Sequence, residues 1–412
     1  MNICGIIAEY NPFHNGHLYQ LQKAKELSNA DYTIIIMGGN FMQRGTPAIM
    51  DKYTRAKVAL SCGADLIIEL PSYYSTGSAE YFALGAISLL DKLGAVTHIC
   101  FGSECGDIQL LQRISQIFLD ESPEFQNCLQ SHLRSGETYP SARTAALLKI
   151  APELSAHISV LNTPNNILGI EYIKNIMKLK SSIIPLTTRR YGSGYHDMRL
   201  GINQSSATAL RQALWSGVKV SDLSSQLPEQ SFQILDNYFQ DNELIHLNDF
   251  SEILYYKLLA ERDNGFTDYV DVSQALSDRI CNNLYHFDGY EAFCDLLKTK
   301  EITHSRISRC LYHILLNMRK NDLDKYINDL GITPYARVLG FRKNSAQLLS
   351  EIDKNTSIPL ITKLADASQI LSVPAYEMLK KDITVNDIYS SIRASKGKVP
   401  MYNEYSTPIV IL

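Results

Sequence analysis

The chain has 412 residues, 45% of them hydrophobic, with 39 Lys and Arg against 43 Asp and Glu and a formal net charge of -4. That length exceeds what one hydrophobic core usually organises, so two or three domains are expected. The near balance of charge excludes a whole-protein positive field that recruits nucleic acid and leaves room only for a localised basic groove.

Eight Cys are scattered without a CxxC pair or a zinc-like cluster, which points to thiols such as Cys4, Cys62, Cys100 and Cys105 in a reducing compartment. The start, MNICGIIAEYN, has neither a basic n-region nor a long apolar h-region. No later apolar run approaches the roughly 20 residues of a bilayer span. A cytoplasmic location, with no membrane partner, is the expectation.

Ile3 to Ala8 reads as a short buried strand. Asn11 and Pro12 turn the chain, and Leu18, Leu21 and Leu27 then follow a helical spacing. The plan repeats: YTIIIMGG is a strand ending in glycines, a polar loop follows, and Asp51 caps a helix running to about Leu60. ADLIIELP is a third strand, SAEYFALGAISLLDKLG a third helix, and VTHICFGSE a fourth strand reaching Gly102. Apolar runs separated by helical patterns predict a Rossmann-like α/β domain with a parallel sheet. Its crevice lies outside the carboxyl ends of the strands. Glu9 to His17, Gly38 to Arg44 and Gly102 to Glu104 fall at that edge.

Residues 107–156 are mostly helical in pattern, with Ser141 to Ile150 a short amphipathic segment. LNTPNNILGIEYIKNIMKL passes from loop to helix, its start carrying Asn162, Asn165 and Asn166. SSIIPLTTRR is another strand with Arg189 and Arg190 at its end, RYGSGYHD a Gly-rich turn, and SSATALRQAL a capped helix start. The predicted division is a catalytic domain at 1–218 and a mainly helical region at 219–412 with a small mixed α/β portion near its end.

His14 and His17 stand at i and i+3 at the mouth of a helix, so both rings address one space. Backbone donors at a helix start attract phosphate oxygens, imidazole donors add stabilisation where charge develops, and Gly16 permits close approach of a nucleotide. The residues alone equally allow one histidine to pack locally and the other to be exposed. A metal reading is weaker, because HNGH lacks a carboxylate partner and is not HExxH, so no metal ligand is assigned.

Strand, turn, HxGH and helix in this order resemble the signature of the HxGH nucleotidyltransferase superfamily. Ser205, Ser206, Thr208 and Arg211 in SSATALR resemble its later phosphate-contacting motif. Closer still, NICGIIAEYNPFHNGH, GGNFMQRGTPAIMDKYTRAKVAL, NTPNNILGIEY, RRYGSGYHD and SSATALR together resemble the tRNA(Met) cytidine acetate ligase family over essentially the full chain. The resemblance implies an enzyme that uses ATP to turn acetate into acetyl-adenylate. It then transfers the acetyl group to N4 of the wobble cytidine of elongator tRNA(Met), giving N4-acetylcytidine, AMP and diphosphate.

It implies catalytic roles for His14, His17, Ser206 and Arg211, with Mg²⁺ as charge compensation. It places ATP contacts at Ile7, Ala8, Glu9, Tyr10, Asn11, Pro12, Phe13, His14, Asn15, Gly16, His17 and Leu18, at Gly102 and Asn162, and at Arg189 and Arg190. From the residues alone, Gly102 serves a turn equally well, Asn162 a helix cap, and the arginine pair a solvated surface. Glu9 and Tyr10 stand where small dinucleotide-forming relatives carry a GxFxPxHxGH start, which points away from a small-molecule acceptor.

Arg44 suits acetate or an RNA phosphate, with Lys52, Arg55 and Lys57 extending a basic rim; each is also compatible with a plain surface charge. For tRNA, Arg306, Arg309, Arg319 and Lys320 form one basic set, and Arg337, Arg342 and Lys343 another with Tyr335 and Phe341 nearby. Two other readings stay open: a nucleotidyltransferase adenylylating a small phosphate-containing acceptor, and a non-enzymatic RNA-binding protein.

Overall fold

Ile34 and Ile36 pack on one side of a β-sheet and Ile35 and Met37 on the other, all fully buried. Successive side chains of a strand point to opposite faces, so a continuous apolar run requires a sheet covered on both. The structure is a computed structural model and describes residues 1–190, 206–397, 399–401 and 403–412. RYGSGYHD beyond Arg190, and Ser205, lie outside the described residues.

Five strands form the parallel part, β1 (Ile3–Ala8), β2 (Tyr32–Gly38), β3 (Leu66–Leu70), β4 (His98–Ser103) and β5 (Ile184–Arg189), in the order β5-β4-β1-β2-β3. Between and after them run α1 (Asn15–Ser28), α2 (Lys52–Ser61), α3 (Ser72–Ser75), α4 (Ala79–Lys92), α5 (Ile108–Asp120), α6 (Pro123–Arg134), α7 (Tyr139–Ile150), α8 (Pro164–Lys178) and α9 (Ala207–Trp215). Asp51 caps α2 by accepting from the backbone of Tyr53 and Thr54, and Ser206 caps α9 by accepting from Ala209 N. The Rossmann-like expectation is met.

Residues 219–330 are helical, with α10 (Glu229–Asp241), α11 (Ser251–Glu261), α12 (Gln274–Asn283), α13 (Tyr290–Leu297), α14 (His304–Leu315) and α15 (Lys320–Asn328). The chain then returns to the sheet. β6 (Ala336–Phe341) pairs antiparallel with β3, and β7 (Leu360–Ile361) and β8 (Val410–Ile411) both pair with β6. The remaining helices are α16 (Ala346–Asn355), α17 (Ala367–Ile370) and α18 (Val373–Lys396). The sheet is therefore mixed and does not stop at residue 218. Short apolar runs such as ARVLGF, separated from the parallel strands by a long helical stretch, carry no mark of which sheet they join.

A buried ionic seam fastens this junction. Lys52 on α2 pairs with Glu69 of β3 at 2.8 Å and with Glu404 at 2.9 Å, and Arg337 of β6 pairs with the same two carboxylates. Burial opposes the Lys52 charge, but Glu404 and Glu69 outweigh it and raise its pKa. Burial likewise opposes the Glu404 carboxylate, and Lys52 and Arg337 together pull its pKa down.

The seam corrects several expectations. Lys52 and Arg55 are buried rather than rim charges, and only Lys57 of that set is exposed. Arg337 and Tyr335 are also buried, the tyrosine donating to Asp382 at 2.7 Å, so neither faces RNA. Of the first basic set, Arg309 pairs with Asp271, Arg319 with Glu261, and Lys320 donates to the carbonyls of Thr267 and Val272; Arg306 is exposed. Basic spacing on a helix does not reveal acidic neighbours brought in from elsewhere in the chain.

Candidate active site

Where β1 ends, the chain must leave the sheet and enter α1 within six residues, Glu9 to His14. Tyr10 takes a left-handed φ of +49° there, a conformation that costs a non-glycine residue about 1–3 kcal/mol. Its buried ring packs on Phe13 and His17 at centroid distances of 4.7 and 5.0 Å. Arg55, itself buried, donates to the carbonyls of Glu9, Gly38 and Gly39, tying the ends of β1 and β2 together.

His14 is the N-cap of α1. Its Nδ1 accepts from Gly16 N at 3.0 Å, and His17 Nδ1 accepts from His14 N at 3.3 Å, a reciprocal capping box built from two imidazoles. Because both Nδ1 atoms accept, each neutral ring carries its proton on Nε2. The rings lie 3.9 Å apart. Burial, then the charges of Arg190 and Arg211, push the His14 pKa down to about 3. Burial, then His14 and Arg190, hold His17 well below its ordinary value. Both are thus neutral hydrogen-bond groups at pH 7, and the positive charge of the site belongs to arginines.

Gly16 also serves the histidine beside it. A Cβ there would lie 2.8 Å from His14 Cε1, so the glycine makes room for the histidine ring.

A cleft of about 330 Å³ opens at the carboxyl ends of the strands, within the range of small-ligand sites. Ile7, Ala8, Glu9, Tyr10, Asn11, His14, His17, Gly102, Arg190, Ser206, Thr208 and Arg211 all line it. Arg211 donates to the Asn11 carbonyl at 2.6 Å and to Thr208 Oγ1 at 3.2 Å, linking the two sequence motifs directly. Arg190 lies along Gly102, where a Cβ would stand 3.2 Å from its Cγ.

Pro12, Phe13, Asn15, Gly16 and Leu18 are behind the wall and hold it. Phe13 O accepts from Ser231, Asn15 donates to Ser225 O, and Leu18, half-buried, packs against the core.

Two expected contacts, Asn162 and Arg189, are not on the wall. The wall takes Asn165 instead of Asn162, which is exposed and precedes the Thr163 cap of α8. Glu104 accepts from both backbone and side chain of Asn165 and from Asn166 N, turning this helix start into the cleft. Arg190 is on the wall and Arg189 is not; Arg189 packs beside Gly106. Gln20, Phe82, Phe101, Leu168 and Tyr172 also line the cleft and were not singled out from sequence. His17 to Gln20 at i,i+3 and Leu168 to Tyr172 at i,i+4 were the available signals.

Among the described residues no group of three or more His, Cys, Asp or Glu side chains is placed to hold a metal, and Glu9 is the only acidic residue lining the cleft. Its carboxylate accepts from Gln43 N at 2.7 Å. Among the described residues this donor set does not fit a resident metal. No helix among the described residues is long and apolar enough to cross a membrane.

Two motifs separated by nearly 200 residues meet on one wall, and comparison with known proteins extends that agreement over the whole chain. The family model for HIGH nucleotidyl transferases matches residues 1–402. A tRNA(Met) cytidine acetate ligase of Clostridium novyi is 40% identical over 95% of this chain and 98% of its own length. One from Clostridium acetobutylicum is 39% identical over the full length of both.

The chain belongs to the tRNA(Met) cytidine acetate ligase family.

The crystal structure of Thermotoga maritima TmcAL without ligand superposes with a TM-score of 0.94 at 32% identity, covering all of both chains. The form bound with alpha-thio ATP gives a TM-score of 0.91. Members of this family are enzymes, and the fold, including the return of the chain to the sheet, is common to this protein and those structures.

Proposed function

We propose that this protein joins acetate to ATP as acetyl-adenylate and then acetylates N4 of the wobble cytidine of elongator tRNA(Met). The observation that carries the reading is the convergence of His14, His17, Arg190 and Arg211 on one cleft at the sheet's carboxyl edge. The likeness to a structure that holds alpha-thio ATP supports a nucleotide there.

In the first step an acetate oxygen bonds to the α-phosphorus while the bond to the diphosphate oxygen breaks, and diphosphate leaves. Arg190 and Arg211 offset the phosphate charge. The histidines offer neutral Nε2–H donors to the transferring group. With a pKa near 3, His14 stabilises charge and does not shuttle a proton at neutral pH. In the second step cytidine N4 bonds to the acyl carbon, the carbon–oxygen bond to AMP breaks, and N4 gives up a proton. Cytidine N4 is a poor nucleophile, so the mixed anhydride and the enforced proximity of the base supply the drive. Mg²⁺ would enter with the triphosphate as substrate.

The RNA path follows from charge. Residues 219–330 carry nineteen acidic against eleven basic side chains, a net of -8, whereas residues 331–412 carry seven against ten, a net of +3. Phosphate backbone favours the second surface, with exposed Lys343 and partly exposed Arg342 on it. Within the 219–412 region assigned to tRNA, contacts therefore concentrate after residue 330.

The test is a reaction of purified protein with ATP, Mg²⁺, labelled acetate and unmodified elongator tRNA(Met), followed by nucleoside mass analysis. Label on the wobble cytidine, with AMP and diphosphate released, is the expected result. Folded protein and intact tRNA with no label on RNA would sink the assignment.

A further inference from the structure

The motif GGNFMQRGTP is not used by the nucleotide contacts above, yet it forms a wall of the same cleft. Residues 40–48 make a tight hairpin: Met42 N donates to Thr46 O at 2.9 Å, Gly45 N to Met42 O at 3.0 Å and Ala48 N to Asn40 O at 2.9 Å. Phe41 and Pro47 pair across it.

Three independent anchors fix its position. Glu9 and Asn11, from the loop that carries His14, accept from Gln43 N at 2.7 Å and Ile49 N at 3.0 Å. From the other side, Ser308 on α14 donates to the Gly45 carbonyl. Gly45 has φ +74°, and a Cβ there would lie 2.5 Å from Arg309 N, so the turn accepts no other residue without displacement. A rigid hairpin pinned to the catalytic loop is a device for holding a side chain at a set place in the cleft.

The side chain it presents is Arg44, which lines the cleft with Arg190 and Arg211. Arg190 and Arg211 are the arginines whose charges depress both histidines; Arg44 is not among the principal charges acting on either ring. It stands on the hairpin wall, whereas Arg190 follows β5 and Arg211 lies on α9. Met42, Ala79 and Phe82 line the same cleft and give it an apolar share. A planar cation with a small apolar surround matches a short carboxylic acid, because the guanidinium fork pairs with a carboxylate through two parallel hydrogen bonds. An RNA phosphate is a poorer match: the backbone must stay outside a cleft this small while one base enters it.

We infer that Arg44 binds the carboxylate of the acid being activated, with Met42, Ala79 and Phe82 covering its methyl group. This rests on the acetate-activating reading above.

The experiment is acetate-dependent exchange of labelled diphosphate into ATP, run on the full chain without tRNA and then with tRNA in the complete reaction. In Arg44→Gln the acetate concentration for half-maximal exchange should rise about 10- to 100-fold, as expected for loss of a charge-assisted pair. The half-saturating concentrations of ATP and tRNA should stay within about 3-fold, since neither loses a contact. In Arg44→Ala, added guanidinium should restore part of the exchange. Wild-type protein should also accept acetate better than butyrate.

An unchanged acetate requirement in Arg44→Gln would overturn the inference, and a raised tRNA requirement alone would reassign Arg44 to RNA phosphate. Complete loss of exchange without rescue by guanidinium would overturn it too. Absence of exchange in the wild type, by contrast, would strike the acetate-activating reading itself.

Discussion

The cleft and the buried seam use the same side chains to opposite ends. In the seam Lys52 and Arg337 face Glu69 and Glu404, two cations against two anions, all buried. On the cleft wall, among the described residues, Arg44, Arg190 and Arg211 stand with one carboxylate, Glu9, which accepts from a backbone amide, while the two histidines are neutral. A balanced set satisfies itself and fastens the fold. A group of arginines gathered at a sheet's carboxyl edge suits an anion.

The strongest way to break this contrast is to unbalance the seam. Glu404→Gln leaves two buried cations against one carboxylate and should cost about 3–5 kcal/mol of stability, read by urea unfolding. A loss under 1 kcal/mol would show that the seam is not self-balanced as described.

Next comes the cleft. Arg211→Gln should weaken ATP binding about 10- to 100-fold in calorimetry while shifting the melting temperature little. A large fall in melting temperature with unchanged affinity would make Arg211 part of the scaffold.

A third effect depends on pH. His14 has a folded pKa of about 3 against an ordinary 6.5, so below pH 6.5 the unfolded chain binds more protons than the folded one. Stability contributed by keeping it neutral is full above pH 6.5 and falls as pH drops toward 3, by up to about 1.4 kcal/mol per unit. His17 adds to the same direction. Replacing both histidines with Asn should flatten the stability profile between pH 6.5 and 4; an unchanged slope would assign it to other groups. The smallest effect is salt: raising ionic strength should weaken ATP binding a few-fold and leave the buried seam untouched, because screening reaches exposed charge first.

Much of this was legible in the residues. Ile3 to Ala8, Tyr32 to Gly38 and the Asp51 cap follow from local pattern, and local pattern is what short-range sterics and burial dictate. HNGH and SSATALR pointed to one shared site, and Arg211 does reach the first loop.

What failed depended on long-range partners. Lys52 and Arg337 read as surface charges because their carboxylates, Glu69 and Glu404, are far away in sequence. Asn162 was chosen where Asn165 lines the cleft, and Arg189 was taken along with Arg190, because a helix start and a strand end are uncertain by one or two residues, enough to turn a side chain out of the cleft. The neutrality of His14 and His17 follows from burial, which no spacing of residues records.

The pairing of Lys52 with Glu404 also bears on how the chain is made. A ribosome adds about 5–20 residues per second, so roughly 20 to 70 seconds separate the synthesis of these two partners. During that interval β3 has no strand at its outer side and Lys52 has only half of its counter-charge. The nucleotide half of the protein is thus begun first and completed last, and a fragment ending near residue 218 would lack both the strand and the carboxylate that finish it.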